Sequence, residues 1–212
     1  MKISRSTASE GRMFSRRSWV RVLAVAACTL AASPAWAAEA PLEVAVADNA
    51  VGAVVAAAGG DAVRIVVDPD LAPARIRVAG ASVDVAGTII LKSGFLDDPR
   101  NATKLGASVR KALIAARPDL KATFEANHKA WTQPFARKIL AWNAALARSS
   151  VRGQRLADAH SRAALLEWAG AVIDPKSAAK GPAALARSPR SPATPTLASY
   201  IAYIEALVAA LA

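Results

Sequence analysis

One stretch of the chain limits the architecture more than any other. Between Pro118 and Ser149, the residues Phe124, His128, Trp131, Phe135, Trp142 and Leu146 recur at spacings of three, four or their multiples, which sets them on one face of a helix. About 30 helical residues span about 45 Å at a rise of about 1.5 Å each. The rest of the chain must cover that aromatic stripe. Pro134 lies inside the run and is a candidate kink. His128 stands on the stripe between Phe124 and Trp131, a place that suits packing rather than ligation.

The segments on either side read as alternating strands and helices. Leu42 to Ala47 and Val63 to Val67 alternate apolar residues at period two, and Ala50 to Ala58 between them forms a helical run stopped by Gly59-Gly60-Asp61. Strand, helix, strand favours a parallel pair with a right-handed crossover. Arg75 to Val78 and Val83 to Leu91 are two further strand candidates, separated by Gly80. Asp97-Asp98-Pro99 starts a helix, with carboxylates at the positive end of the helix dipole and proline in the first turn. It is predicted to reach about Ala116, where Arg117-Pro118-Asp119 interrupts it.

Beyond the long helix, Arg155 to Asp158 is a short strand with His160 at its end, Ser161 to Ala169 a helix capped by Gly170, and Ala171 to Asp174 a return strand. Pro182, Pro189, Pro192 and Pro195 mark an irregular connector over 176–196. A last helix from Leu197 to Leu211 carries Tyr200, Ile201, Ile204, Leu207 and Val208 on one face. The expected fold class is α/β: two small lobes with short parallel sheets and flanking helices, at 38–117 and 151–212, joined by one long connecting helix at 118–150.

The first 37 residues have the order of a cleavable secretion signal. A basic stretch precedes the apolar run Val22 to Ala32, and Ala35-Trp36-Ala37 offers small residues for cleavage after Ala37. Arg16-Arg17 admits twin-arginine export, and Met13 is an alternative start. The apolar run is far shorter than the roughly 20 residues that span a bilayer, so no transmembrane anchor is expected. Cys28 is the sole cysteine; it either leaves with the leader or, as a minor alternative, carries a lipid anchor. The expected location is the periplasm.

Removing the leader takes six of 27 basic and one of 16 acidic residues and leaves 21 against 15, so the net charge falls from +11 to +6. The remaining basic residues are spread out and no aromatic-interleaved basic run is present, so no nucleic-acid footprint is read. Nor is there a Gly-x-Ser-x-Gly elbow, a His-Glu-x-x-His helix or a phosphate loop, and no enzymatic activity is expected.

The order of several motifs resembles that of the periplasmic solute-binding proteins of zinc and manganese ABC transporters. The motifs are Phe95-Leu96-Asp97-Asp98-Pro99-Arg100-Asn101-Ala102, then Arg117-Pro118-Asp119, then Phe124-Glu125-Ala126-Asn127. They continue with Gly153-Gln154-Arg155-Leu156-Ala157-Asp158-Ala159-His160 and with Leu165, Trp168 and Gly170. The resemblance implies a protein that delivers a divalent ion, zinc or manganese, to a membrane permease. It also implies a site of three histidines and a carboxylate. Here the first two histidine positions fall on Ala74 and Gly94, and only His160 stands where a ligand is expected. His160 is therefore the candidate metal residue, with helix capping or hydrogen bonding in the cleft as its structural alternative. Asp97, Asp98, Asp158, Glu167 and Asp174 are available to complete a set, each with an ordinary explanation as a cap or surface charge. The alternative function is a scaffold that has lost its metal and serves as an envelope protein-protein interaction module.

Overall fold

The computed structural model describes residues 40–92, 94–158 and 161–212. The leader with Cys28 and Ala37 lies outside the described residues, and so does His160.

The first sheet is built around β1 (Leu42–Val46), in the order β2-β1-β3-β4. β2 (Val63–Val67) runs parallel to β1, with Leu42 opposite Val63 and Val46 opposite Val67. The crossover is α1 (Asn49–Gly59), whose N-terminus is capped by the Asp48 carboxylate accepting from the Val51 amide at 2.8 Å. Val51, Ala53, Val54 and Val55 are fully buried, because α1 is covered by the sheet on one side and by helices on the other.

On the far side of β1 the sheet turns antiparallel. β3 (Arg75–Val78) and β4 (Ala81–Asp84) form a hairpin, and β3 pairs antiparallel with β1, so the sheet is mixed where a parallel one was expected. The reason is the connection: two residues, Ala79 at φ 49° and Gly80 at φ 82°, turn the chain back. A parallel return needs a crossover of about a dozen residues or more, whereas two left-handed residues match the strand twist of a tight hairpin. β4 ends at Asp84 instead of running to Leu91. The Asp84 carboxylate accepts from the Ala86 amide at 2.8 Å and Gly87 takes a left-handed φ, which bends the chain out of the sheet. Val85 and Ile89 still reach the core, while Ile90 is 76% exposed.

α2 (Pro99–Ala116) begins where its sequence predicts, with the Asp98 side chain accepting from the Arg100 amide at 3.0 Å. A single turn at Pro118–Leu120 leads into α3 (Lys121–Leu146), whose 26 residues are about 39 Å long. Phe124, Trp131, Phe135, Trp142 and Leu146 are buried along one face, as their spacing predicts. Pro134 and Ala130 lie on the exposed face, so water can satisfy the Ala130 carbonyl that loses its helical partner. α2 and α3 approach closely at Gly106, where a Cβ would lie 2.5 Å from Cζ2 of Trp131.

The second sheet is a parallel pair of two residues each, β5 (Arg155–Leu156) and β6 (Val172–Ile173), with α4 (Ala163–Trp168) as crossover. The connector contains one short helix, α5 (Ala183–Arg187), and leads to α6 (Leu197–Ala209), capped by Thr196. α6 packs on α1 and α3. The class is thus α/β, with short strands in two sheets. One continuous buried cluster, from Val44 to Leu211, joins them along α3.

The hairpin turn offers a direct test. A left-handed conformation costs a residue with a Cβ about 1–2 kcal/mol, and the extra unfolded-state freedom of glycine costs about 0.4–1 kcal/mol. Ala79→Gly is therefore expected to stabilise the protein by about 0.5–1 kcal/mol in urea unfolding.

Candidate functional site

The principal cleft has a volume of about 520 Å³ and lies where the start of α1, the turn before α2, the segment before α4 and the connector meet. Its walls are mainly apolar, from Ala50, Pro73, Leu91, Phe95, Leu96 and Pro192. Among the polar residues on it, Asp97, Arg162 and Tyr203 are buried and joined.

Each of the three is delivered by a different element. Asp97 closes the single turn Phe95–Asp97, which follows Gly94 in the left-handed region at φ 62°. A Cβ on Gly94 would lie 2.3 Å from Oδ2 of Asp97 and 3.0 Å from the Ser161 carbonyl oxygen, so only glycine lets these groups converge. Arg162 precedes α4, with its amide donating to the Asp158 carboxylate at 2.6 Å. Tyr203 comes from α6. The Arg162 guanidinium donates to Oδ2 of Asp97 at 3.0 Å, to the Tyr203 hydroxyl and to the Pro189 carbonyl, and the Tyr203 hydroxyl donates to Oδ1 of Asp97. Both Asp97 oxygens are therefore engaged.

The electrostatics follow from burial. Desolvation raises the Asp97 pKa, against the opposing pull of Tyr203 and Arg162. Tyr203 is raised as well, first by burial and then by the Asp97 charge, which keeps its phenol protonated and unsuited to act as a base. For Arg162, burial disfavours the charge, but Asp97 and Tyr203 together outweigh it and hold its pKa up. Behind them the Tyr200 hydroxyl donates to the Leu96 carbonyl at 2.6 Å.

The candidates named from sequence are dispersed. Asp97 alone lines the cleft, committed to its ion pair. Asp98 caps α2 and holds Arg100, with 2.7 Å between Oδ2 and Nη2. Asp158 caps the chain ahead of α4, Glu167 pairs with Lys92 at 2.6 Å, and Asp174 accepts from the Lys176 amide at 2.9 Å in a turn. His128 packs edge-on to Trp131 at 5.7 Å between ring centroids, its pKa lowered by burial and by Arg110. His160 falls outside the described residues, although Ser161 and Arg162 next to it line the cleft. Among the described residues no group of three or more His, Cys, Asp or Glu is placed to hold a metal ion.

Sequence reasoning missed Arg162, Tyr203, Lys92 and Arg190. The available signal for Arg162 was a lone charge ahead of the apolar run Ala163-Ala164-Leu165-Leu166. Tyr203 sits three residues after Tyr200, so it was legible as part of the same helical face.

The ion pair sets two predictions. Arg162→Met leaves a buried, uncompensated carboxylate and is expected to cost about 3–5 kcal/mol in chemical unfolding, most of it recovered in the double variant Asp97→Leu/Arg162→Met. Because the folded pKa of Asp97 is raised above its ordinary 3.8, the folded state holds the proton longer than the unfolded one. The Asp97 contribution to stability therefore falls as pH rises from about 3.8 through the folded value. Unfolding free energies of the native protein minus those of Asp97→Asn should decline over that window.

No family model matches the chain, no curated protein matches it, and no solved structure matches it.

Proposed function

We propose that this protein is an exported binding protein of the ABC-transporter solute-binding type, which presents a small solute to a membrane permease, and that its cargo is not held in a three-histidine metal cage. The observation that carries this reading is convergence. Of the three places that the resemblance assigns to histidines, Gly94 lines the cleft of about 520 Å³, and Pro73 and Ser161, the chain neighbours of Ala74 and His160, line it too. Segments separated by up to 88 positions in the chain thus share one wall, an arrangement that supports a solute-binding reading.

The donor chemistry argues against zinc or manganese as the cargo. Ala74 and Gly94 bring no ligand, and a side chain on Gly94 would collide with the Asp97 carboxylate. Recruiting Asp97 requires breaking its pair with Arg162, at a cost of about 3–5 kcal/mol. Micromolar affinity is worth only about 8 kcal/mol in total. The pair-breaking cost adds to that figure, so a micromolar site would need about 11–13 kcal/mol of gross ligation from Asp97, His160 and water.

A second reading, an envelope interaction module that carries no cargo, draws support from the open edge of the first sheet. β2 is an outer strand, and Val66 and Val67 on it are 37% and 45% exposed. No helix among the described residues is long and apolar enough to cross a membrane.

Calorimetric titration of the purified protein with zinc and with manganese tests the proposal. Saturable binding tighter than about millimolar is not expected. Micromolar binding that is lost in His160→Ala would replace this reading with metal capture.

A further inference from the structure

Resting on the solute-binding reading above, we infer that the cleft takes a small organic acid: an apolar body against the Phe95 and Leu96 wall, with a carboxylate held at the rim by Arg190, Ser161 and Ser191. A volume of about 520 Å³ lies inside the range of small-molecule sites, which combine mostly apolar walls with a few placed polar groups.

Charge balance identifies the group the ligand must satisfy. Three cations line the cleft, Lys92, Arg162 and Arg190, together with two carboxylates, Asp48 and Asp97. Arg162 is neutralised by Asp97 at 3.0 Å, and Lys92 by Glu167 at 2.6 Å. Asp48 is spent on the N-terminus of α1, where its charge faces the positive end of the helix dipole and accepts from the Val51 amide. Arg190 is different. Its backbone carbonyl lies 3.2 Å from the Tyr203 hydroxyl, whose proton is directed to Asp97, and its guanidinium has no bonded partner among the described residues. A guanidinium is a rigid fork matched to carboxylate oxygens, and pairing there is stronger than a neutral hydrogen bond.

The neighbouring hydroxyls complete the donor set. Neither the Ser161 nor the Ser191 side chain has a partner among the described residues, and both residues are exposed on the cleft. Ser161 is held at φ 54°, a conformation that a residue with a Cβ adopts only when its surroundings impose it. The connector that bears Arg190 and Ser191 is itself anchored. The Asn49 side-chain amide donates to the carbonyls of Pro192 at 3.0 Å and Ala193 at 3.2 Å, which ties it to the start of α1. The rim donors therefore stand on a fixed wall.

The test uses benzoate as probe, benzyl alcohol as the uncharged equivalent of the same body, and inorganic phosphate as an anion without one, each titrated into the purified protein by calorimetry. Benzoate is expected to bind saturably and more tightly than either control. Arg190→Gln should weaken benzoate by about tenfold or more while leaving the circular dichroism spectrum and unfolding midpoint unchanged, because the side chain is exposed and its backbone carbonyl remains. Ser191→Ala should weaken it less. Absence of benzoate binding, or an affinity untouched by Arg190→Gln, overturns the inference. Equal binding of benzoate and benzyl alcohol also overturns it but leaves the solute-binding reading standing. Micromolar zinc binding in the same preparation removes that reading itself.

Discussion

A buried carboxylate and a buried guanidinium have to neutralise one another before anything else around the cleft can be arranged. Asp97 and Arg162 come from segments 65 residues apart, and each is about 5% exposed in its side chain. Separately, either charge would be driven out toward water. Together, and with the Tyr203 hydroxyl between them, they bring the turn before α2, the start of α4, the middle of α6 and the Pro189 carbonyl of the connector to one point. The cleft is the space left in front of that junction. Its shape is a consequence of where the pair can be satisfied, and its electrostatic character is what the pair leaves over.

The junction is supported from behind by aromatic packing. Trp131 meets Phe135 edge-on at 5.5 Å, Phe135 meets Trp142 at 5.7 Å and stacks with Tyr200 at 6.0 Å, and Tyr200 contacts Tyr203 at 6.4 Å. The stripe that first limited the architecture thus continues across α6 to the residue that bonds Asp97. Ring contacts of this geometry each add about 0.5–1.5 kcal/mol beyond the burial of area. They also restrict how far α6 can turn, and so where the Tyr203 hydroxyl can point.

The sequence made the scaffold more legible than the site, for physical reasons. β1, α1 and β2 were readable because a parallel unit must alternate period two with a helical run. The start of α2 was readable because Asp98-Pro99 is a capping signal. The α3 stripe was readable because 3.6-residue periodicity survives Pro134 when that proline faces water. Pairing was not: Ala79-Gly80 is a weak turn signal, and nothing local says that β3 returns as one arm of a hairpin. The apolar run Ile89-Ile90-Leu91 looked like strand, yet an aspartate bonding two residues ahead had already bent the backbone. At the site, Gly94 read as a missing ligand, whereas its lack of a side chain is what admits the Asp97 carboxylate. Arg190 carried no pattern at all, and the place of Arg162 ahead of an apolar run gave no role, since a charge acquires one only when its partner, or the absence of one, is known in space.

The bond from Arg162 to the Pro189 carbonyl reaches a part of the chain with little regular structure of its own. A carbonyl is present whatever residue stands at that position, so the attachment does not depend on which side chain the connector offers there. Insertions or substitutions on either side of it can therefore accumulate without unfastening the wall, as long as one peptide oxygen stays within reach. Diversification of the rim is consequently tolerated by this fold, because the core is bonded there to backbone and not to a side chain.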